Sequence, residues 1–273
     1  MLRKVSIFAL AAAALALTMA VPANANDAAQ VVVTRGEPVQ IAFAADLSGS
    51  TSSFATSLGN AVQMAVEAHP SIRGFPIQVN VVDAPCGNAA ADAAAATSIV
   101  SNVQNVAVLG HFCSTGDTAA LPIYQAAGVV TISGSTTDPS LPLLGPTVFN
   151  SVAVPDGCCP LVDRFSPWYA LVQGLPSDLA WRDAYTQRFG STPTDFADLY
   201  YDATSLLVKD LQKTSTLAWG GTLVVDRAAL AAAVRGTTKY QGVTCTVALD
   251  PATGYRVNDP AALSSCPPAW SLG

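Results

Sequence analysis

Three short loops concentrate groups able to do chemistry. They are Asp46-Leu47-Ser48-Gly49-Ser50-Thr51-Ser52-Ser53, His111-Phe112-Cys113-Ser114-Thr115-Gly116-Asp117 and Ser133-Gly134-Ser135-Thr136-Thr137-Asp138. A loop that opens a helix presents unpaired N–H groups at the positive end of the dipole, which suits an anion. A hydroxyl adds a donor there without adding charge. Catalysis asks for more, namely a positioned nucleophile and base, or a metal. His111 stands three residues before Ser114, but a triad is a relation in space, not in sequence. The chain has no G-x-S-x-G elbow and no metal-binding motif. Asp83, Asp117 and Asp138 fall in loops, and nothing marks them as an acid–base pair. The only histidines are His69 and His111, and of the cysteines only Cys158-Cys159 are close together. The expectation is a binding protein, not an enzyme, with neither metal nor cofactor.

The elements that must position these loops alternate. Val39–Ala44, Pro76–Val82, Val106–Gly110 and Val129–Ile132 are short apolar runs that read as strands. Helical stretches separate them: Ser57–Ala68, the alanine-rich Ala89–Val103, and a helix that follows the loop His111–Asp117 and runs through Gln125. Repeated strand–loop–helix units predict an α/β three-layer sandwich with a mainly parallel sheet covered on both faces. Ligands of such sheets sit outside the carboxyl ends of the strands, where all three hydroxyl-rich loops fall. Beyond Val154 the pattern changes. Pro155–Pro176 is proline-rich and irregular, then helices are expected over Asp178–Phe189, Asp195–Lys213 and Asp226–Arg235. Asp226 is the N-cap of the last. Tyr240–Leu249 reads as one strand and Asp250–Gly254 as a turn.

The first residues read as a secretory signal. Arg3 and Lys4 precede an apolar run from Val5 to Val21, and Ala23-Asn24-Ala25 offers a cleavage site before Asn26. No cysteine follows closely, since the first is Cys86, so a soluble periplasmic product without a lipid anchor is expected. The formal net charge is −6, and losing Arg3 and Lys4 makes it −8. Such a surface argues against nucleic acid and anionic membranes as partners. Six cysteines in an exported chain suggest disulfides.

Leu109-Gly110-His111-Phe112-Cys113-Ser114-Thr115-Gly116, followed by Ile132-Ser133-Gly134-Ser135-Thr136-Thr137-Asp138-Pro139, resembles the type I periplasmic binding proteins. The nearest branch is the leucine/isoleucine/valine-binding group of ABC transporters. Val81-Val82-Asp83-Ala84-Pro85-Cys86 is similar to that branch too, as is Phe149-Asn150-Ser151-Val152-Ala153-Val154-Pro155-Asp156, where the family crosses into its second lobe. Ala184-Tyr185, Tyr200-Tyr201-Asp202-Ala203 and Tyr240-Gln241-Gly242-Val243-Thr244 match its returning segments in order. The resemblance implies a small-molecule ligand, an amino acid or amide-like solute, and an ABC permease as partner.

Carried over by position, Ser114 and Thr137 bind the ligand carboxylate, with Thr115 beside them in the same loop. Ser135 lies next to the ligand's amino group, and Phe54 falls where the family puts an aromatic wall. The resemblance also pairs Cys86 with Cys113 and makes a bridge between Cys245 and Cys266 plausible; Cys158 and Cys159 stay unassigned. Plainer readings stand beside these. Ser114 and Thr115 read equally as N-caps, Ser133–Thr137 as an ordinary polar loop, Phe54 as packing, and His111 as a structural histidine.

The chain departs from the family in its middle. About 25 residues stand where the family places most of a second lobe, too few for several strand–helix units of roughly 30 residues each. The expected organisation is therefore a signal over 1–25, the first part of lobe 1 over 26–154, a short irregular replacement for lobe 2 over 155–177, returning helices over 178–238, and a C-terminal strand, turn and tail over 239–273. The family's acidic and aromatic groups for the ligand ammonium belong to the missing lobe, so none is assigned. An exposed lobe face also makes dimerisation an option.

Overall fold

The computed structural model describes residues 29–156, 169 and 172–257. The expected signal, most of 155–177, Cys158, Cys159, Cys266 and the residues after 257 lie outside the described residues. In chain order the elements are β1 (Gln30–Val33), β2 (Val39–Ala45), α1 (Ser52–Ala68), β3 (Ser71–Ile72), β4 (Phe75–Asp83), α2 (Ala89–Ser101), β5 (Asn105–Leu109), α3 (Ser114–Ala127), β6 (Val130–Ser133), α4 (Leu141–Leu144) and β7 (Phe149–Ser151). The chain returns through α5 (Pro176–Phe189), α6 (Ala197–Thr214), β8 (Thr216–Leu217), β9 (Leu223–Asp226), α7 (Arg227–Arg235), β10 (Tyr240–Gly242) and β11 (Cys245–Val247).

The main sheet has the order β3-β4-β2-β5-β6-β7. All its pairings are parallel except the two-residue β3–β4 contact. Strands β2, β5, β6 and β7 are buried on both sides while β4 is largely half-buried or exposed, and the two-residue period of the pleat splits the side chains of β2 between two cores. From β2, Ile41, Phe43 and Ala45 pack with Leu58 and Ala61 of α1, Trp181 of α5 and Leu207 of α6. Ala42 and Ala44 face the other way, against Ala96 and Ile99 of α2 and Leu121 and Tyr124 of α3. Helix, sheet and helix thus form three layers, as the alternation predicts.

Three expectations need correction. Helix α1 starts at Ser52 and not Ser57, because Asp46 folds residues 46–51 into a tight turn by accepting the N–H groups of Gly49 and Thr51. The loop after β5 is shorter than His111–Asp117, since α3 begins at Ser114. Tyr240–Leu249 is not one strand but a hairpin of β10 and β11. Its turn is dictated from elsewhere: the buried Asp202 carboxylate of α6 accepts the N–H groups of Val243 (2.8 Å) and Thr244 (2.9 Å), and Cys245 takes φ 75°. Gly242 cannot carry a side chain, because a Cβ would overlap that carboxylate. Asp226 does cap α7, through the N–H of Ala229 at 2.9 Å.

Strand β1 pairs antiparallel with β9, which also holds β8. This small sheet joins the start of the described chain to its returning part.

Candidate solute-binding site

Because β2, β4, β5, β6 and β7 run parallel, the loops that follow them share one rim of the sheet. Side chains fasten those loops to one another. Asp83, ending β4, accepts the Leu47 N–H (2.9 Å) and the Ser48 hydroxyl (2.6 Å), fixing the loop after β2. The Cys86–Cys113 disulfide, with Cα atoms 5.7 Å apart, joins the loops after β4 and β5. The hydroxyl of Thr51 reaches Sγ of Cys86 at 3.2 Å. The Ser114 hydroxyl oxygen accepts the N–H groups of Thr137 (3.2 Å) and Asp138 (3.4 Å), so the loops after β5 and β6 meet there. Ser135 donates its hydroxyl to the carbonyl of Phe112 at 2.6 Å, with the Tyr200 hydroxyl 3.3 Å away. Thr137 donates to the exposed carboxylate of Asp156 at 2.9 Å.

The residues singled out from sequence therefore converge on one rim, with distinct local roles. Ser114 opens α3, whose N-cap position, Cys113, makes no side-chain cap, and the Ser114 hydroxyl crosses to the neighbouring loop instead of capping its own helix. Among the described residues its hydroxyl proton has no acceptor, and α3 starts without a side-chain cap. Thr115 is exposed in the first turn. The hydroxyls of Ser135 and Thr137 are engaged within the chain. Phe54 is half-buried and belongs to a row of aromatic rings: it lies 5.4 Å from Phe112, which lies 5.9 Å from Phe196, itself stacked on Tyr169 at 5.4 Å. Sequence reasoning reached Phe54 and missed Phe112, Phe196 and Tyr169; the run His111-Phe112-Cys113 was the available signal for one of them. Behind the row, Arg182 bonds to Asp178 (2.7 Å) and Asp198 (3.2 Å), and Tyr169 donates to Asp198 (3.0 Å). Burial, with the Asp198 charge beside it, pushes the Asp178 carboxyl up.

His111 is buried, its ring between Asp92 (3.1 Å) and the Tyr124 hydroxyl (3.0 Å), which fits the structural reading and not a ligand role. Asp117, fully buried next to it, accepts the His111 N–H at 3.3 Å, and its other oxygen has no hydrogen-bond partner among the described residues. Burial outweighs the attraction of His111 and moves its pKa up to about 6. Cys245 is disulfide-bonded; its expected partner, Cys266, lies outside the described residues. No group of three or more potential metal ligands occurs among the described residues, and none of their helices is long and apolar enough to cross a membrane.

A groove of about 630 Å³ lies beside this rim, not on it. It runs between α1 and β4, lined by Ala55, Val62, Val66, Ile77, Val79 and Val81 among others, and only Leu47 and Ser52 of its lining belong to the rim.

Residues 38–160 match the family described as periplasmic binding protein. The match spans 123 of the chain's 273 residues. The α/β fold extends over the whole described chain. A putative branched-chain amino acid ABC transporter protein from Rhodospirillum rubrum is 15% identical, aligns over 81% of this chain and 95% of its own, and superposes with a TM-score of 0.64. LivJ from Streptococcus pneumoniae, solved with isoleucine, is 16% identical over 81% and 94%, with a TM-score of 0.63. A solute-binding protein of an ABC transporter from Rhodopseudomonas palustris, solved with 3,4-dihydroxybenzoic acid, is 14% identical over 81% and 91%, with a TM-score of 0.66. At such identities the likeness speaks for the fold alone. Among curated proteins none matches in sequence.

Proposed function

We propose that the chain is an extracytoplasmic solute-binding protein that receives a small polar ligand at the rim and presents it to an ABC permease. The observation that carries this reading is the joining of the loops after β5 and β6 through Ser114, at the start of a helix free of a side-chain cap. That arrangement offers a hydroxyl and helix-end N–H groups to an anionic group such as a carboxylate. Amino acids are the favoured class, in keeping with the isoleucine held by the streptococcal neighbour. The aromatic row from Phe54 to Tyr169 supplies an apolar flank for a branched side chain.

The second lobe is largely missing in this reading. Among the described residues there is one six-stranded sheet, and only a short stretch separates Ser151, the end of β7, from Pro176, the start of α5. A single open face covers far less of a ligand than the 70–90% usual in a formed site. Affinity for free amino acids is therefore weak, with Kd on the order of 1 mM or above. Isothermal calorimetry with L-leucine, L-isoleucine and L-valine tests this: micromolar binding overturns the one-lobed reading.

A second reading, a single-lobe interaction protein without a transport role, draws on one feature. Leu47 and Val81 stay exposed at the end of the apolar groove, and β4 pairs on its outer side only through Phe75 and Pro76 among the described residues. Sedimentation analysis separates the two, since a transport receptor stays monomeric while this reading requires a dimer or larger assembly.

A further inference from the structure

The loop between β5 and α3 is held from several directions by groups that do not reach solvent. His111 is 1% exposed. Its Nδ1 lies 3.1 Å from Oδ1 of Asp92 on α2, and its Nε2 lies 3.0 Å from the hydroxyl of Tyr124 on α3. Its carbonyl accepts the hydroxyls of Ser133 (2.9 Å) and Tyr200 (3.2 Å), and its N–H donates to Asp117 (3.3 Å). The next carbonyl, that of Phe112, accepts the Ser135 hydroxyl. The packing is too close for a side chain at position 116, where a Cβ would stand 2.8 Å from Asp92 and 3.0 Å from His111 Nδ1.

Partner chemistry decides where the ring carries its proton. A carboxylate only accepts, so Nδ1 facing Asp92 bears the hydrogen. Burial keeps the Tyr124 hydroxyl un-ionised, so it stays a hydrogen-bond partner for Nε2 as donor or acceptor. The ring, with Nδ1–H on Asp92 and Nε2 at the Tyr124 hydroxyl, links two helices through the loop that runs from β5 into α3.

We propose that His111 is a positioning residue for the solute site, its ring clamped by Asp92 and Tyr124 so that the backbone of 110–113 brings Ser114 onto the N–H groups of Thr137 and Asp138. Here the same residue is fixed through ring, carbonyl and N–H, three positions before the hydroxyl it places. The purpose assigned to the loop rests on the solute-binding reading; the clamp itself does not.

The test uses the full chain without ligand. Long-range proton–nitrogen spectra of labelled protein show a protonated Nδ1 for His111. Tyr124→Phe and Asp92→Asn each speed amide exchange at 110–116 and 133–138 about tenfold, as expected for one lost buried hydrogen bond, and leave the β5 amides of 106–108 unchanged. His111→Gln, able to keep one of the two ring contacts, recovers part of that protection relative to His111→Ala. A bare Nδ1, an even rise across the sheet, or no change in both Tyr124→Phe and Asp92→Asn overturns the proposal. Because no solute is added, that outcome stays separate from a failure to bind amino acids.

Discussion

Two aspartates organise neighbouring loops on this rim by opposite electrostatics. Asp46, after β2, is almost fully buried yet accepts the N–H groups of Gly49 and Thr51 and the hydroxyl of Thr51. Burial alone would raise its pKa, but the Thr51 and Gly49 donors and the Cys86 backbone outweigh it and hold the carboxyl below its ordinary value. Asp117, under the loop after β5, accepts the His111 N–H and has an oxygen without a hydrogen-bond partner among the described residues, so burial outweighs the help of His111 and the nearby Thr136 side chain and its pKa rises to about 6. Desolvation costs both. The number of donors decides which one stays a firmly ionised anchor and which one carries strain.

That contrast can be broken in four ways. The largest effect belongs to the disulfide that couples the two loops. Replacing Cys86 and Cys113 by alanine removes a link across a separation of 27 residues and lowers unfolding free energy by about 3.5 kcal/mol on loop entropy, read by urea denaturation. Next, Asp46→Ala strips three hydrogen bonds from one turn and costs about 3 kcal/mol, with the loss of amide protection confined to 46–53.

Asp117→Asn acts through pH. Asp117 and Asp202 both have folded pKa values of about 6, raised from 3.8, so between these limits the folded chain holds protons that the unfolded chain has released. Their contribution is greatest below the unfolded value and is lost as pH rises through about 6. Thermal melts should therefore show wild-type stability increasing as pH falls from 7 to 5, and Asp117→Asn flattening that gain by about 1 kcal/mol. The smallest effect is that of Ser114→Ala, about 1 kcal/mol, with faster amide exchange at Thr137 and Asp138.

The sequence was legible where signals are local. Apolar runs at β2, β4, β5 and β6, with helical stretches between them, disclosed the parallel sheet, and its topology put the hydroxyl-rich loops on one rim. Legibility failed where a distant partner decides. Nothing near Gln30–Val33 announces its pairing with Leu223–Asp226. Val243 and Thr244 turn because Asp202, on another helix, captures their N–H groups. His111 was recognisable as structural, but its clamp needs Asp92 and Tyr124, which only the packing of α2 on α3 brings together. The Cys86–Cys113 bond came from resemblance, since spacing alone allowed other pairings.

Amide chemical-shift mapping during titration with millimolar L-leucine bears most directly on whether these loops are half of a receptor mouth. Progressive shifts gathered at 46–53, 112–116 and 133–138 are predicted, weakened by Ser114→Ala. Shifts gathered instead along the groove between α1 and β4, or none on the rim at saturating solute, would contradict it.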